Sequence, residues 1–424
     1  MTTPSQEIAP LDTVKRKRRL VVNIGVVLAT FGPGLISANA GNDAGGILTY
    51  ASAGAQFGYG TLFLMVVVTI GLVVAQEMSS RLGVYTGQGL GGLIREQFSA
   101  ASTFVALLML LIANVALTVS EFAGVGAAMG ILGVSRYLSI PLAAVLVWVT
   151  TVLGSYSKAE RLLLVLSLVF LAYPVAAVLG HPDGQQVLEN LVWPHFLSSH
   201  SFLVLAVALI GTTITPYMQF YVASAVVDKG VLPKDYKRER FDTVSGAIWS
   251  DLVSIFIIIA TAAAIGGHGP LATAAEAARA LRPVVGPAAP QLFAAGLLAA
   301  SLLAASVVPL STSYAIADAI GAPRSMSANF KAAPLFYGIF TLQILIGAGV
   351  SLAPGNLVAL VIDAQALNGL ITPILMTYLV ILTSRRSVLG SAVNGPRFRV
   401  VAIVSVAVVG ALAFVVLVQT VLSF

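Results

Sequence analysis

The sequence predicts an all-α polytopic membrane protein, and three observations lead to this fold class. Of its 424 residues, 58% are hydrophobic and only 9% are charged, whereas soluble domains carry about 25% charged residues. The apolar residues are gathered into long runs, each of which would cross a bilayer as a helix. Lys and Arg residues are concentrated in alternate segments between those runs, as cytoplasmic loops require.

Eleven apolar spans follow a polar, basic tail at residues 1–19. The spans cover approximately residues 20–56, 60–80, 102–130, 137–156, 160–180, 201–227, 243–267, 289–320, 333–352, 356–383 and 398–423. With the N-terminus in the cytoplasm, the outer loops hold only Arg136, Arg279 and Arg282, and the other twenty of the 23 basic residues lie inside. This asymmetry predicts a cytoplasmic N-terminus and an external C-terminus.

Composition and charge exclude several classes of protein. The chain has no cysteine, which excludes disulfides, thiolate metal sites and thiol catalysis. The net charge of +6 does not indicate nucleic-acid binding, because five consecutive basic residues, Lys15 to Arg19, stand directly before the first span as a membrane anchor. That span is too long for the apolar core of a signal peptide. All four histidines fall in predicted outer segments, so an intramembrane imidazole relay is not expected.

The first span contains a predicted break at Gly41-Asn42-Asp43-Ala44-Gly45-Gly46. The run from Leu20 to Gln56 has 37 residues, or about 55 Å of helix at ~1.5 Å per residue, against a hydrocarbon core of ~30 Å. A charge in hydrocarbon is costly, and glycine loosens a helix. A break at Asp43 would turn backbone carbonyls and amides toward a central cavity, as transporters do at their ion sites. The alternative is a glycine-rich packing face with an isolated Asp.

A second break is predicted in the sixth span, from Gly211 to Tyr217. Pro216 removes a backbone donor and frees carbonyls around Thr212. Proline kinks are common in membrane helices. This one lies in the sixth span, which would open a second set of five spans, just as Asp43 lies in the span that opens the first set. We therefore predict a five-plus-five inverted repeat, residues 20–180 and 201–383, followed by an additional helix at 398–423.

Six carboxylates lie within or at the ends of spans, with no basic residue at comparable depth. They are Asp43, Glu77, Glu121, Asp251, Asp318 and Asp363. Such groups need cations, protons or water as partners, which indicates a cation pathway. Glu77, close to Arg81 at a span end, is instead expected to form an interfacial ion pair. The polar stretch Asp363 to Gly369 in the tenth span predicts either a cavity-facing surface or polar contacts between helices.

At these residues the chain resembles the Nramp family of divalent-metal transporters, which have the LeuT-type fold. The resemblance is densest from Gly32 to Glu96 and includes Gly32-Pro33-Gly34 and Arg81-Leu82-Gly83. The family's Asp-Pro-Gly-Asn motif falls on Asp43-Ala44-Gly45-Gly46. Its Met-Pro-His motif falls on Thr215-Pro216-Tyr217, and its tenth-span glutamine falls on Gln365.

The resemblance implies a set of metal ligands. Asp43 and Gln365 would contribute side-chain oxygens, and Ala40 and Thr212 would contribute backbone carbonyls. The family's thioether and asparagine ligands are replaced by Thr215 and Gly46 in this chain. Asn42, beside Asp43, is a candidate pathway residue.

These replacements predict the substrate. A thioether favours softer transition metals, whereas Mg²⁺ prefers oxygen ligands and keeps several waters. Replacing two side-chain ligands leaves room for a partly hydrated ion. The pattern resembles the prokaryotic Nramp-related magnesium transporters, which implies a plasma (inner) membrane location and Mg²⁺, with Mn²⁺, as the substrate.

Proton coupling is expected to be absent. Proton-coupled members of the family carry an Asp three residues before a Glu in the third span, and here these positions are Thr118 and Glu121. The histidine of the sixth span is replaced by Tyr217, a residue type that does not titrate near neutral pH. Glu121 remains as a possible proton route.

Four alternatives compete with a magnesium transporter. A proton-coupled Mn²⁺/Fe²⁺ importer would share most of the sequence features, and a divalent-cation channel would share an uncoupled flux. A sodium-coupled transporter of organic solutes would bind an anion at half-helix N-termini. An intramembrane enzyme would need a nucleophile–base pair or metal ligands at depth, and is not expected. The expected partners are the divalent ion and the lipid bilayer, with no cofactor and no nucleic acid. The sequence does not indicate an oligomeric state.

Overall fold

The computed structural model of the chain describes residues 43–153, 168–194, 199–322 and 330–422. All regular secondary structure in these ranges is helical, and no strand occurs among them. The α-helices are α1 Ala44–Phe57, α2 Leu62–Thr86, α3 Leu90–Gln97, α4 Ala100–Ile131, α5 Arg136–Val152, α6 Ala172–Leu179, α7 Gly184–Val192, α8 His200–Thr213, α9 Pro216–Asp228, α10 Tyr236–Ile265, α11 Ala274–Ala277, α12 Arg282–Val285, α13 Ala289–Ile320, α14 Pro334–Ser351, α15 Leu357–Ser384, α16 Arg386–Leu389 and α17 Pro396–Leu422. Short 3₁₀ turns occur at Leu168–Leu171, Pro233–Asp235, Ala278–Leu281, Gly286–Ala288 and Gly390–Ala392.

The helices follow the predicted spans closely. Within the described ranges, eight helical segments are long and apolar enough to cross a membrane. The helix α5 and the segment Val169–Leu179 are apolar but shorter. The all-α polytopic fold is therefore confirmed. The count of eleven spans stays a prediction, because the basic tail, the first half of the first span and the start of the fifth lie outside the described residues.

Both predicted helix breaks coincide with helix ends. Helix α1 begins at Ala44, and Asp43 before it has an extended backbone with φ −71° and ψ 179°. The sixth span is divided into α8 and α9, and Thr215 between them is extended, with φ −67° and ψ 130°. Pro216 occupies the first position of α9, where its missing N–H costs no helical hydrogen bond. Three helix ends, the start of α1, the end of α8 and the start of α9, thereby lie in the interior of the bundle.

Several helices lie in segments that were predicted to be loops. Helix α3 follows the second span and buries Leu90, Leu93 and Ile94. Helix α7 lies in the predicted outer loop 181–200 and is capped by Asp183, which accepts backbone N–H bonds over 3.0 and 3.1 Å. These short helices carry too few apolar residues to give a transmembrane signal, so a search for spans does not detect them.

Close backbone contact between α8 and α15 fixes the position of the sixth-span break. A Cβ atom on Gly211 would lie only 2.1 Å from the Gln365 carbonyl oxygen and 2.3 Å from the amide nitrogen of Gly369. Small residues permit this approach of two membrane helices. Gly211, which precedes Thr212, therefore contacts the backbone of Gln365, the predicted ligand on α15.

The expected ion pair at the end of the second span is confirmed. Arg81 Nη2 lies 3.0 Å from Glu77 Oε2, and both side chains are buried. Glu77 also accepts from the Tyr236 hydroxyl and lies 3.4 Å from Arg240 Nε, both on α10. Arg81 donates to the Ala392 carbonyl over 3.1 Å. The pair thus joins α2 to α10 and to the segment before α17.

The contact at Gly211 yields a stability prediction. Gly211→Ala should lower the free energy of unfolding by about 1–3 kcal/mol, the usual cost of overpacking, because the methyl group would meet rigid backbone. Gly338→Ala on α14 is the matched control, since nothing lies within 4 Å of its Cβ position. Thermal unfolding in detergent should show a lower midpoint for the first variant only. Equal midpoints for both variants would contradict the close packing.

Candidate functional site

Asp43 is held at the start of α1 by the local backbone. Its Oδ1 accepts a 2.7 Å hydrogen bond from the Gly46 amide, the usual N-cap geometry. The residue is only 1% exposed, and no donor among the described residues reaches Oδ2. The positive end of α1 favours a carboxylate here. One oxygen is therefore fixed by the helix, and the other is available to a cation.

Glu121 on α4 approaches the same helix start. Its Oε2 accepts a 3.3 Å hydrogen bond from the Ala44 amide, and its Oε1 has no donor among the described residues. Glu121 is fully buried. Two carboxylates thus flank the first residue of α1, and no described basic side chain pairs with either of them. Buried charges of one sign need a cation or a proton as a partner.

Gln365 reaches the site because Gly45 has no side chain. A Cβ atom on Gly45 would lie 1.7 Å from Gln365 Nε2 and 3.1 Å from Ser120 Oγ. Gln365 is fully buried, and its Nε2 donates to Ser120 Oγ over 3.4 Å. No described donor reaches its Oε1. The glutamine amide therefore lies directly against the first turn of α1, with its oxygen unpaired.

The sixth-span break lies against the same region through α1 and α15. The Thr215 hydroxyl donates to the Thr212 carbonyl over 2.8 Å, and both residues are buried. The hydroxyls of Tyr50 on α1 and Thr213 on α8 are 2.9 Å apart. Together with the close contact between α8 and α15, the bond between Tyr50 and Thr213 packs the end of α8 against both α1 and α15.

Two of the predicted ligand atoms in this region have no hydrogen-bond partner among the described residues. They are Oδ2 of Asp43, which caps α1, and Oε1 of Gln365, whose amide lies against the first turn of α1. The carbonyl of Thr212 and the hydroxyl of Thr215 stay predicted ligands. The described part of the chain contains no group of three or more His, Cys, Asp or Glu residues that could hold a metal. An ion here would therefore be held by one or two carboxylates and by neutral oxygens, which suits a hard cation that keeps water.

The remaining predicted site residues differ in what they contact. Gly46 contributes its amide to Asp43 but no side chain. Thr118 is directed at α14, since its Cγ2 would lie 2.6 Å from a Cβ on Gly347. Tyr217 is fully buried in an apolar cluster between α4, α9 and α13. Ala40 and Asn42 lie outside the described residues.

Two further polar side chains lie near Gln365; the sequence analysis did not identify Ser120, and it included Asn368 only as a member of the polar stretch from Asp363 to Gly369. Ser120 contacts Gln365, as described above. Asn368 is fully buried, and neither its amide nitrogen nor its oxygen has a hydrogen-bond partner among the described residues. Asn368 lies three residues after Gln365, and this spacing, which is visible in the sequence, puts both side chains on one face of α15. Asp363, in the same polar stretch, is exposed.

Two curated relatives of this chain are both described as divalent metal cation transporters. The chain is 27% identical over 387 residues to the divalent metal cation transporter MntH of Aeromonas hydrophila, an alignment that covers 87% of this chain and 90% of that protein. It is 33% identical over 285 residues to the divalent metal cation transporter MntH of Ralstonia nicotianae, covering 63% of this chain and 64% of that protein.

Two solved structures share the fold. The manganese transporter of Eremococcus coleocola superposes with a TM-score of 0.73 at 19% identity, over 92% of this chain and 86% of that one. A nucleobase-cation-symport-1 family transporter superposes with a TM-score of 0.55 at 13% identity, over 93% of each chain. These likenesses confirm the predicted LeuT-type architecture.

The family itself is shown by a profile match over most of the chain. The family described as "Natural resistance-associated macrophage protein-like" matches residues 34–419. This range includes the three motifs, around Asp43, Pro216 and Gln365, on which the resemblance was inferred. The resemblance is confirmed for the family, while the magnesium-transporting branch stays a prediction. The chain belongs to the natural resistance-associated macrophage protein (Nramp) family.

Proposed function

We propose that this chain is a secondary transporter that moves divalent cations, chiefly Mg²⁺ and also Mn²⁺, as partly hydrated ions and without proton coupling. Its family membership makes it a multi-pass membrane transporter rather than an enzyme. The relatives described as divalent metal cation transporters support the substrate class. The observation that carries the proposal is the buried, unpaired Oδ2 of Asp43 at the start of α1, with the unpaired amide oxygen of Gln365 on the side chain that lies against the same turn.

Two positions favour a hard, hydrated ion. The Thr215 hydroxyl donates its hydrogen to the Thr212 carbonyl, so its oxygen lone pairs remain available to accept from a bound water or to bind a cation. At Gly46 the only polar group is the backbone, and its amide is occupied by Asp43. The protein thus supplies few direct ligands and no sulfur there. Mg²⁺ loses its waters reluctantly and tolerates such a site, whereas softer ions gain little from it.

The arrangement also provides a route to alternating access. Tyr50 and Thr213 link α1 to α8, so the two broken spans form one unit. Gln365 and Glu121 approach that unit from α15 and α4. An ion that binds both Asp43 and Gln365 would draw the two sides together. Its binding energy would then favour the closed arrangement over the open ones, which is the requirement for a ligand-driven conformational change.

This chain lacks a feature that each of the two main alternatives requires. A proton-coupled Mn²⁺/Fe²⁺ importer of the family would carry a thioether where this chain has Thr215 and a histidine where it has Tyr217. A channel would need a continuous aqueous path past the ion site, but Asp43 is only 1% exposed. A buried site favours saturable, stepwise transport.

Removing the carboxylate of Asp43 should abolish transport. We expect Asp43→Ala to reduce saturable Mg²⁺ uptake into proteoliposomes by roughly 100-fold, because the site then has no fixed charge of its own on α1. Asp363→Ala is the matched control, since that carboxylate is exposed on α15. Near-normal uptake by Asp43→Ala, in protein that elutes as a single species, would contradict the assignment.

Restoring a thioether at position 215 should change selectivity. Thr215→Met is expected to raise Mn²⁺ uptake relative to Mg²⁺ by about tenfold, since sulfur displaces water and favours the softer ion. Thr215→Val removes the hydroxyl without adding sulfur and should weaken both ions without that shift. The measurement is the ratio of Mn²⁺ uptake to Mg²⁺ uptake in competition assays. A wild-type protein that carries Mn²⁺ but ignores Mg²⁺ would refute the magnesium proposal.

Metal entry should move no protons. A pH-sensitive dye inside the vesicles should show no acidification during Mg²⁺ uptake, because Thr118 and Tyr217 replace the family's titratable residues. Vesicles that receive a proton ionophore and an acid pulse provide the positive control. Acidification that follows metal uptake and disappears in Glu121→Gln would instead make Glu121 a proton carrier.

A further inference from the structure

An apolar groove lies between the last two long helices, away from the ion site. It has a volume of about 570 Å³, and its walls come from α15 and α17. The apolar lining residues are Val380, Ile381, Ile403, Val406 and Ala407. Of the described helices that are long enough to cross a membrane, α17 is the least buried within the protein, at 22%. In a bilayer this side of the bundle would face hydrocarbon, from which an acyl chain could enter the groove.

Two arginines stand at the polar end of this groove. Arg385 follows the last residue of α15, and Arg399 lies in the first turn of α17. Arg385 donates to the Gln97 carbonyl over 2.8 Å, and its guanidinium lies 4.7 Å from the centre of the Phe98 ring. Arg399 donates to the Ser384 carbonyl over 3.1 Å. These contacts hold both guanidinium groups at the membrane boundary.

Neither arginine is paired with a carboxylate among the described residues. Each guanidinium has five N–H donors, and the bonds to carbonyl oxygens use only part of them. Two positive charges thus remain unneutralised next to an apolar groove. A ligand that matches both features carries a negative charge at one end and an alkyl chain at the other.

We propose that this groove binds an anionic phospholipid, with its phosphate between Arg385 and Arg399 and one acyl chain along the apolar wall. A guanidinium group binds two phosphate oxygens at once. A zwitterionic lipid binds less well because its own ammonium group competes with the arginines for the phosphate. The bound lipid would fasten the end of α15, the helix that carries Gln365, to α17 and, through Gln97, to α3. This site is independent of the proposed transport substrate.

Native mass spectrometry of the delipidated full chain tests the proposal. With phosphatidylglycerol and phosphatidylcholine offered together, the wild-type protein should retain phosphatidylglycerol. The double variant Arg385→Gln and Arg399→Gln should bind it about 30-fold more weakly, the factor expected for two basic groups near an anionic headgroup. The matched control is Arg386→Gln and Arg397→Gln, two exposed arginines of the same segment that do not line the groove. The control should retain the lipid.

A second pair of variants tests the apolar wall. Ala407→Trp fills the groove and leaves both arginines in place, so it should also lose phosphatidylglycerol. Ala411→Trp adds the same ring to an exposed position of α17 outside the groove and should keep it. Equal retention of the two lipids by the wild type would overturn the proposal. Equal loss in both arginine double variants, or full retention by Ala407→Trp, would overturn it as well.

Discussion

The carboxylate of Asp43 is buried inside a membrane helix bundle, and its solvation constrains the structure around it. Such a group is tolerated only if backbone donors, a helix end or a cation replace the lost water. The chain supplies the first two by starting α1 at Ala44 and by presenting the Gly46 amide. The unpaired second oxygen leaves a position for a cation. A continuous helix through Asp43 would offer none of these contacts.

Glycine at two positions allows the other helices to reach that carboxylate. Without a side chain at Gly45, the amide of Gln365 can lie against α1, and without one at Gly211 the backbones of α8 and α15 touch. The second contact packs the end of α8, which carries Thr212, against α15. The proposed oxygen donors come from the first, sixth and tenth spans, so the proposed site would be complete only when those spans are packed together. Under that proposal, ion binding and helix packing would be coupled, which is what alternating access needs.

The sequence predicted the two breaks and the tenth-span glutamine because each leaves a local signal: a charge in an apolar run, a proline, or an amide at a motif spacing. It did not predict Ser120 as a neighbour of Gln365, since a single sequence gives the position of a residue along a helix but not the rotation of that helix. For the same reason it could not show that Thr118 faces α14. The short helices α3 and α7 were missed because they are not long enough to cross a bilayer.

The hydration of the bound ion tests the central claim most directly. Mn²⁺ can be bound to the purified wild-type protein as a paramagnetic probe, and its coordinated waters can be counted by pulsed electron paramagnetic resonance in ¹⁷O-labelled water. We expect Mn²⁺ with an all-oxygen shell that includes several waters, displacement of this Mn²⁺ by Mg²⁺, and no such signal in Asp43→Ala. A fully dehydrated ion, or one that excess Mg²⁺ does not displace, would contradict it.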